Sequence, residues 1–520
     1  MRPMLISRPL ARSFALGAGF LLAACTSEQI VFVPREPFNP PPDAASGFLG
    51  YYDADTKQTT CGNCHVDYQA RWVETRHAGA WATLQANPGN QQLCEGCHSV
   101  SENGNAVDQA AGYNAVADPA YHDVQCENCH GPGLEHVEGV GQGMLVRPLA
   151  KLSMTGDANC GECHSGTHHP FAEEWGASAH GGFIESPASR SGCNSCHDGR
   201  ATLLAWGVDH NYIEREVAGG YQPVTCAVCH DPHGSNNSAQ LRWAIDSPDP
   251  ELNLCMKCHL RRVEPAGGST HGTSPHAPQG AVLMGIAGYR PAGFEYEEDR
   301  IFGTHATDRN PKLCAGCHVG RFEVTDPESG NFLFQATGHL FRPIPCVDAQ
   351  GIPTADEDCA YSAAARSWRT CTTAGCHASA EVAATLFNGA RDGLEMLADV
   401  IWMDLDEDEA VDPAPTDGGY LATVMANQPE QFDPDAVVSA AEGALFNAKL
   451  CGPGVYANGD KSNGTHNVFL CEALLRANIN ELQATYGLPA PPPAVQARLR
   501  QPLGGANAAA VQVSRSSIWK

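Results

Sequence analysis

The chain carries eight C-x-x-C-H motifs, and this repetition constrains it more than any other feature. They are Cys61/Cys64/His65, Cys94/Cys97/His98, Cys126/Cys129/His130, Cys160/Cys163/His164, Cys193/Cys196/His197, Cys226/Cys229/His230, Cys255/Cys258/His259 and Cys314/Cys317/His318. A ninth, Cys371-Thr-Thr-Ala-Gly-Cys376-His377, has four residues between its cysteines. C-x-x-C-H is the attachment signature of c-type haem. Two thiols add to the vinyl groups of one porphyrin, and the histidine that follows sits beneath the iron as an axial ligand. A zinc knuckle needs two C-x-x-C pairs per ion and no histidine after every second cysteine. The expected cofactor is therefore haem c, nine per chain. At the longer motif the added residues would bulge, and the alternative there is a disulfide through Cys371 or Cys376.

The motifs use 18 of the 23 cysteines. Cys25 is a nineteenth, and it follows an export signal. Arg2, Arg8 and Arg12 form a positive segment, and Ser13 to Leu22 is apolar but too short to span a bilayer. Leu22-Ala23-Ala24-Cys25 fits a lipobox, in which Cys25 is acylated and becomes the mature N-terminus. A lipid would then anchor the chain to a membrane without a transmembrane helix. Thr26 in place of Asp leans toward the outer membrane. Residues 25–50, with Pro40-Pro41-Pro42, read as a tether. The remaining four cysteines, Cys346, Cys359, Cys451 and Cys471, suit two disulfides in an oxidising compartment. The expected pairs are Cys346–Cys359 and Cys451–Cys471, the second joining two antiparallel helices.

The motif histidines are 33, 32, 34, 33, 33, 29, 59 and 59 residues apart. A fixed period marks a repeated unit, here one haem with a short wrapping of chain. Two segments look alike, Trp72-Val-Glu-Thr-Arg-His77 and Trp175-Gly-Ala-Ser-Ala-His180, and each reads as a short helix presenting a second axial ligand. Of 22 histidines, nine belong to motifs and 13 remain, enough to give every iron a second imidazole. The distal candidates are His77, His122, His136, His169, His180, His210, His233, His276, His305, His339 and His466. His168/His169 and His271/His276 are adjacent or close pairs from which one member each is expected to ligate. Iron held by two imidazoles has no open position, so it transfers electrons and does not activate a substrate.

The rest of the sequence fits a haem-organised chain. Only 42% of residues are hydrophobic, with 53 Gly and 36 Pro. The porphyrins would supply apolar mass that the side chains lack. A net charge of −27 excludes a nucleic-acid binder, which needs a basic face. The expected fold is mostly α with much irregular loop around a stacked haem chain. Residues 1–24 read as the signal, 51–265 as the region of six to seven haems and 266–380 as two further haems. Residues 381–487 read as a helical segment and 488–520 as a loosely ordered Pro/Ala-rich tail. In the helical segment Val382, Leu386, Ala390, Leu394, Leu397 and Ile401 keep a 3–4 spacing. Asp404 to Asp412 is an acidic run, read as a solvated loop ahead of a cation or partner site. Asp433-Pro434 is expected to open a second helix ending near Leu450, and a third starts near His466 or Asn467.

Together these motifs resemble the bacterial multihaem c-type cytochromes. Val124-Gln-Cys-Glu-Asn-Cys-His-Gly-Pro-Gly-Leu-Glu-His136 and Val224-Thr-Cys-Ala-Val-Cys-His-Asp-Pro-His233-Gly are similar to segments of the tetrahaem and octahaem cytochromes related to hydroxylamine oxidoreductase. Asp460-Lys-Ser-Asn-Gly-Thr-His466-Asn resembles the C-terminal segment of that superfamily, which implies a haem-ligating role for His466. The resemblance implies closely stacked haems in parallel and perpendicular pairs. The catalytic haem of the pentahaem nitrite reductases has Lys in place of the motif histidine, whereas all nine motifs here end in His. Three readings follow. The first is a lipid-anchored, exported nonahaem conduit of bis-His haems, at the outer membrane, periplasm or cell surface. It would pass electrons among other cytochromes, a quinol-oxidising complex or an outer-membrane conduit, or to extracellular acceptors. The second is a multihaem oxidoreductase acting on a small nitrogen or sulfur species at one open haem. The third is a subunit of a polymeric cytochrome nanowire.

Overall fold

The local rule of the chain is one helical turn per motif. A single turn brings the first cysteine, the second and the following histidine to one side of the backbone, as in Cys126–His130 and Cys314–His318. Short 3-10 turns do the same at Cys61–Asn63, Gln92–His98, Cys160–Glu162 and Cys255–Lys257. The computed structural model describes residues 40–503 except 141, 144–145, 151–159, 209–219, 270, 292–293, 295–303, 307–309, 374, 455, 457 and 502. Cys25 and His210 lie outside the described residues.

Up to residue 379 the motif turns are joined by loops, short helices and two small antiparallel hairpins. One hairpin pairs β1 (Tyr51–Asp53) with β2 (Gln58–Thr59), and the other pairs β3 (Phe322–Thr325) with β4 (Phe332–Ala336). Apolar packing here is scattered in small clusters, such as Phe48, Val100, Ala111 and Tyr121. The fold is mostly helical with much loop, as the sequence reading expects.

The C-terminal part is built differently. Ser379 accepts from the Val382 N–H and caps α1 (Ala380–Ile401). Then come α2 (Gly419–Asn427), α3 (Ala440–Cys451), α4 (Val468–Tyr486) and α5 (Pro493–Leu499). Leu394, Leu397, Ile401, Trp402, Leu421, Phe446, Leu450, Leu470, Leu474 and Leu475 form one continuous core. Every residue of α3 from Ala441 to Cys451 is buried, and a Cβ at Gly443 would collide with the Tyr289 ring. Ala281, Val282 and Ala287 from the haem-bearing part belong to this core. No helix among the described residues is long and apolar enough to cross a membrane.

Cys346–Cys359 and Cys451–Cys471 are disulfides, with Cα atoms 6.0 Å and 5.3 Å apart. Four expectations for this part need correction. The helix that ends at Cys451 starts at Ala440, not at Asp433-Pro434. Ser439 and Glu442 form a reciprocal capping box there, which satisfies the backbone N–H groups of both. Helix α2 went unread because its stretch, Gly-Tyr-Leu-Ala-Thr-Val-Met-Ala-Asn, follows an acidic and Pro-rich run. Residues 493–499 of the tail are helical, with Val495 sealed against the core. In α1 the buried face begins at Ala383 and Ala384, while Val382 and Leu386 are exposed. The acidic run is a loop whose carboxylates gather as Asp404/Asp406/Asp417 and Asp406/Asp408/Asp412.

Candidate haem sites

In six of the motifs the turn is closed by a hydrogen bond from the histidine N–H to the carbonyl of the first cysteine. It measures 2.9 Å from His65 to Cys61, from His164 to Cys160, from His230 to Cys226 and from His259 to Cys255. The ninth motif keeps the same closure: His377 N–H reaches the Cys371 carbonyl at 3.0 Å across two extra residues. The bulge therefore leaves the relation of first cysteine to histidine unchanged, which fits attachment of a porphyrin there.

Eight motif histidines each face a second imidazole. The ring centroids are 6.4 Å apart for His65 and His136, 6.2 Å for His164 and His77, and 6.2 Å for His130 and His233. They are 6.0 Å apart for His197 and His276, 6.3 Å for His230 and His339, and 6.1 Å for His259 and His180. They are 6.1 Å apart for His318 and His466 and 6.3 Å for His377 and His305. The ninth, His98, interacts electrostatically with His169. Imidazoles on opposite faces of one metal, each with a metal–nitrogen bond of about 2.0 Å, place their centroids roughly 6.2 Å apart. The spacing fits one iron between each pair.

Partners are distant in sequence, 71 residues for His65 and His136 and 148 for His318 and His466, so spacing alone does not reveal them. Of the paired candidates, His276 faces His197 and His169 interacts electrostatically with His98, whereas the His168 ring stacks on Phe332 at 4.5 Å. His122 is not brought to a motif histidine. Its ring lies flat on Trp81, 4.0 Å away and inclined by 9°, and packs beside Tyr113. Its position four residues before Cys126 turns it toward that aromatic pair.

The pairing repeats along the chain. His130 and His164 face His233 and His77, and His98 interacts electrostatically with His169. A block further on, His197, His230 and His259 face His276, His339 and His180. Every member is displaced by 95 to 107 residues. Trp72 Nε1 donates to the Val124 carbonyl (3.1 Å) and Trp175 Nε1 to the Val224 carbonyl (2.8 Å), just ahead of Cys126 and Cys226. The Trp–His lookalikes are thus the visible edge of a duplicated three-motif block.

The electrostatics suit ligation. Metals bind the neutral imidazole. Burial pushes His164, His180, His318 and His339 down to about 4, so they are uncharged at neutral pH. Ring orientation is fixed from behind by Nδ1–H donation. The acceptors are backbone carbonyls for His98 (Ala80, 2.9 Å), His130 (Pro148, 3.0 Å), His230 (Ala239, 2.7 Å), His305 (Thr465, 2.6 Å) and His318 (Phe341, 2.8 Å). His136 uses the Val146 carbonyl (2.6 Å) and His259 the Gln279 Oε1 (3.2 Å). His466 differs: its Nδ1 donates to Asp460 Oδ1 at 2.6 Å. Burial pulls His466 down, but the charge and hydrogen bond of Asp460 outweigh it and the net direction is upward. Buried Glu174 accepts from the His339 N–H (2.7 Å) and from Thr337, and so sets the loop that carries His339. Neither carboxylate has a sequence signature, since each acts through the fold.

Thiols of different motifs meet. Cys61 is hydrogen-bonded to Cys126, Cys160 to Cys226 and Cys255 to Cys314. Cys97 likewise contacts Cys163, and Cys196 contacts Cys258. Cys129 interacts with Cys160, Cys229 with Cys258 and Cys317 with Cys371. The sites therefore form a spine in the order first, third, fourth, sixth, seventh, eighth and ninth. The second branches from the fourth and the fifth from the seventh. A continuous cavity of about 3960 Å³ runs past the second to ninth motifs. Small-molecule pockets hold roughly 300–1,000 Å³, so this one has room for several large flat cofactors.

The motif cysteines differ in exposure. Cys64, Cys129, Cys160 and Cys376 are exposed, and the other motif cysteines are half-buried. Cys129, Cys160 and Cys376 nevertheless line the long cavity, whereas Cys64 does not. The cause is local. The Cys64 N–H closes the short turn at Cys61 (3.1 Å), and the next helix starts at Val66, which is itself 63% exposed. Cys61 is turned inward to Cys126, so its partner three residues on is left at the outer edge of the spine. The protein thus covers only one of the two thiols at this end.

Known proteins point the same way. Residues 60–131 match the family "Cytochrome c554 and c-prime", and residues 217–263 match "Doubled CXXCH motif". A multihaem cytochrome, MtrA, of Shewanella baltica is 25% identical over 226 residues, covering 38% of this chain and 63% of that protein. The C-type polyhaem cytochrome OmcB of Geobacter sulfurreducens is 25% identical over 307 residues, covering 52% of this chain and 37% of its own length. The chain thus spans less than two thirds of either relative. No solved structure matches it. With its repeated haem-attachment motifs, its facing imidazoles and these relatives, the chain is similar to the multihaem c-type cytochromes.

Proposed function

We propose that the chain is a nonahaem electron conduit in which every iron is closed by two histidines. The facing of eight motif histidines by a second imidazole carries this reading. Haem c supplies a one-electron Fe(III)/Fe(II) couple at each site. The nine motif histidines and His77, His136, His169, His180, His233, His276, His305, His339 and His466 would hold the irons, and a small substrate would then find no open position. The nearness of cysteines from different motifs would bring neighbouring haems together along the seven-site spine. The first and ninth sites are its ends, and the second and fifth are side stations. Electrons enter and leave through other redox proteins docked near those ends, or pass to an extracellular acceptor. The exposure of Cys64 supports the first site as one such end.

Lipidation of Cys25 would tether this conduit to the membrane after export, and Cys25→Ala should move it to the soluble fraction. The segments Val124–His136 and Asp460–Asn467 support kinship with the cytochromes related to hydroxylamine oxidoreductase. The deciding measurement is the spin state of the purified protein together with its intact mass. Nine haems by mass and an entirely low-spin spectrum are expected. A mass short by one haem removes the Cys371/Cys376 site, and a clear high-spin signal that binds CO ends the closed-conduit reading.

A further inference from the structure

We propose that Asp460 sets the reduction potential of one particular site, the one held by Cys314, Cys317, His318 and His466, and makes it a low-potential step on the spine. The inference rests on the conduit reading. Among the described axial candidates, His466 is the one whose Nδ1 lies within hydrogen-bond distance of a carboxylate. The others described above donate to neutral oxygens. His233 comes nearest to an exception, but its Nδ1 lies 3.6 Å from Asp231, against 2.6 Å for His466 and Asp460, and the His233 side chain is 41% exposed, so water screens that pair.

The surroundings make Asp460 a strong partner. Its side chain is 3% exposed, so water screens its charge little. Ser462 Oγ donates to its second oxygen, and its backbone N–H is held by the Leu450 carbonyl at 3.1 Å. The carboxylate is thus fixed by α3 on one side and by the turn before α4 on the other. The Ser462 hydroxyl also accepts from the His466 N–H at 3.1 Å, which sets the distance between ring and carboxylate.

Two effects then act in one direction. Donation of the Nδ1 proton to a carboxylate raises the basicity of the ligating nitrogen, and a more basic ligand favours the ferric state. The negative charge itself also favours the more positive, oxidised iron. Both lower the potential of this site relative to those whose histidines donate to carbonyls. The site lies between the seventh and ninth on the spine, so it separates the Cys371/Cys376 site from the rest by an uphill step.

Potentiometric titration of the holoprotein tests this, with haem content and spin state measured in the same samples. In Asp460→Asn one component moves to a more positive potential, while haem content and low-spin character stay as in the parent. In Ser462→Ala, which removes the hydroxyl that shares the carboxylate's charge, the same component moves to a more negative potential. His466→Met assigns it, because Met/His ligation raises a haem potential. If both Asp460→Asn and Ser462→Ala remain fully low-spin and neither shifts a component, the proposal is overturned. If Asp460→Asn turns one haem high-spin, Asp460 is holding His466 in place, and Ser462→Ala decides by the presence or absence of its negative shift. Failure of the conduit reading shows earlier, as missing haems or high-spin iron in the parent.

Discussion

Leu93 and Ile184, in the haem-bearing part, are 79% and 66% exposed and line the long cavity. Leu474 and Leu475, on α4, are 0% exposed in a continuous core. The same residue type meets opposite surroundings because the two regions bury apolar surface by different means. Residues 380–499 pack leucine against leucine between helices long enough to have buried faces. The described helices of residues 50–379 have one or two turns, and each buries only a few side chains, such as Leu203 or Ala281 and Val282. Their apolar side chains would instead cover porphyrin, which is bound to the chain and takes the place of a core. Leu386 belongs to the second kind although it lies on α1, since it too lines the cavity. Exposed apolar side chains that line the cavity, such as Leu93, Ile184 and Leu386, are thus placed to cover the cofactor.

The largest effect that would break this contrast comes from withholding the haem. A chain made without covalent haem attachment should lose its tertiary structure over residues 50–379. It should keep hydrogen-exchange protection in α1, α3 and α4, whose core is protein alone. Exchange measured by mass spectrometry, segment by segment, checks this. Equal protection of both regions in the haem-free chain would show that the first part has a core of its own.

Inside the helical part, ordinary core energetics should hold. Leu474→Ala removes a fully buried side chain and should cost about 2–5 kcal/mol, read as a drop in the denaturation midpoint of α1–α4. Leu93→Ala, at a largely exposed position, should cost far less in the same assay but alter the Soret band of the nearest haem. If the two leucines behave alike, the distinction between the regions is wrong. The Cys451–Cys471 bridge comes next. It spans 20 residues, so its removal by paired Cys→Ser substitution should cost about 3 kcal/mol by loop-closure entropy.

How much of this was legible in the sequence follows from which interactions are local. The attachment motifs were fully readable because Cys, Cys and His must share one helical turn. Their surroundings were not: nothing in Cys61-Gly-Asn-Cys64-His65 shows that Cys64 stays at the surface while Cys61 turns inward. The helix start at Ala440 was missed although Ser439 and Glu442 form a readable capping box, because the Asp433-Pro434 pair upstream looked sufficient. The distal histidines were readable as a set and not as pairs. His466 faces His318 only because α4 brings residue 466 back to the eighth motif. His122 was misjudged for a similar reason, since the flat face of Trp81 that it covers comes from 41 residues upstream. Asp460 has no local signal as the acceptor behind a ligand, beyond standing six residues before a histidine.

The smallest effect tests the duplicated block. Trp72 and Trp175 each donate one indole hydrogen bond to the carbonyl two residues before a motif cysteine. Replacing either by Phe keeps most of the ring and removes that bond, at about 1 kcal/mol for a buried amide-type partner left unmet. His77 and His180 end the two Trp–His segments and face His164 and His259. Each substitution should therefore loosen one axial ligand, and the two should do so equally. The readout is the midpoint at which each variant, titrated with acid, converts a single haem from low to high spin. Matched shifts in Trp72→Phe and Trp175→Phe are expected if the two blocks are built alike. A shift in one alone would mean that the blocks share a pairing pattern but not the means of holding it. In that case the difference would fall on the residue before each Trp. Glu174 is buried and holds the His339 loop, whereas Arg71 stands at the matching place and reaches out to Asp231.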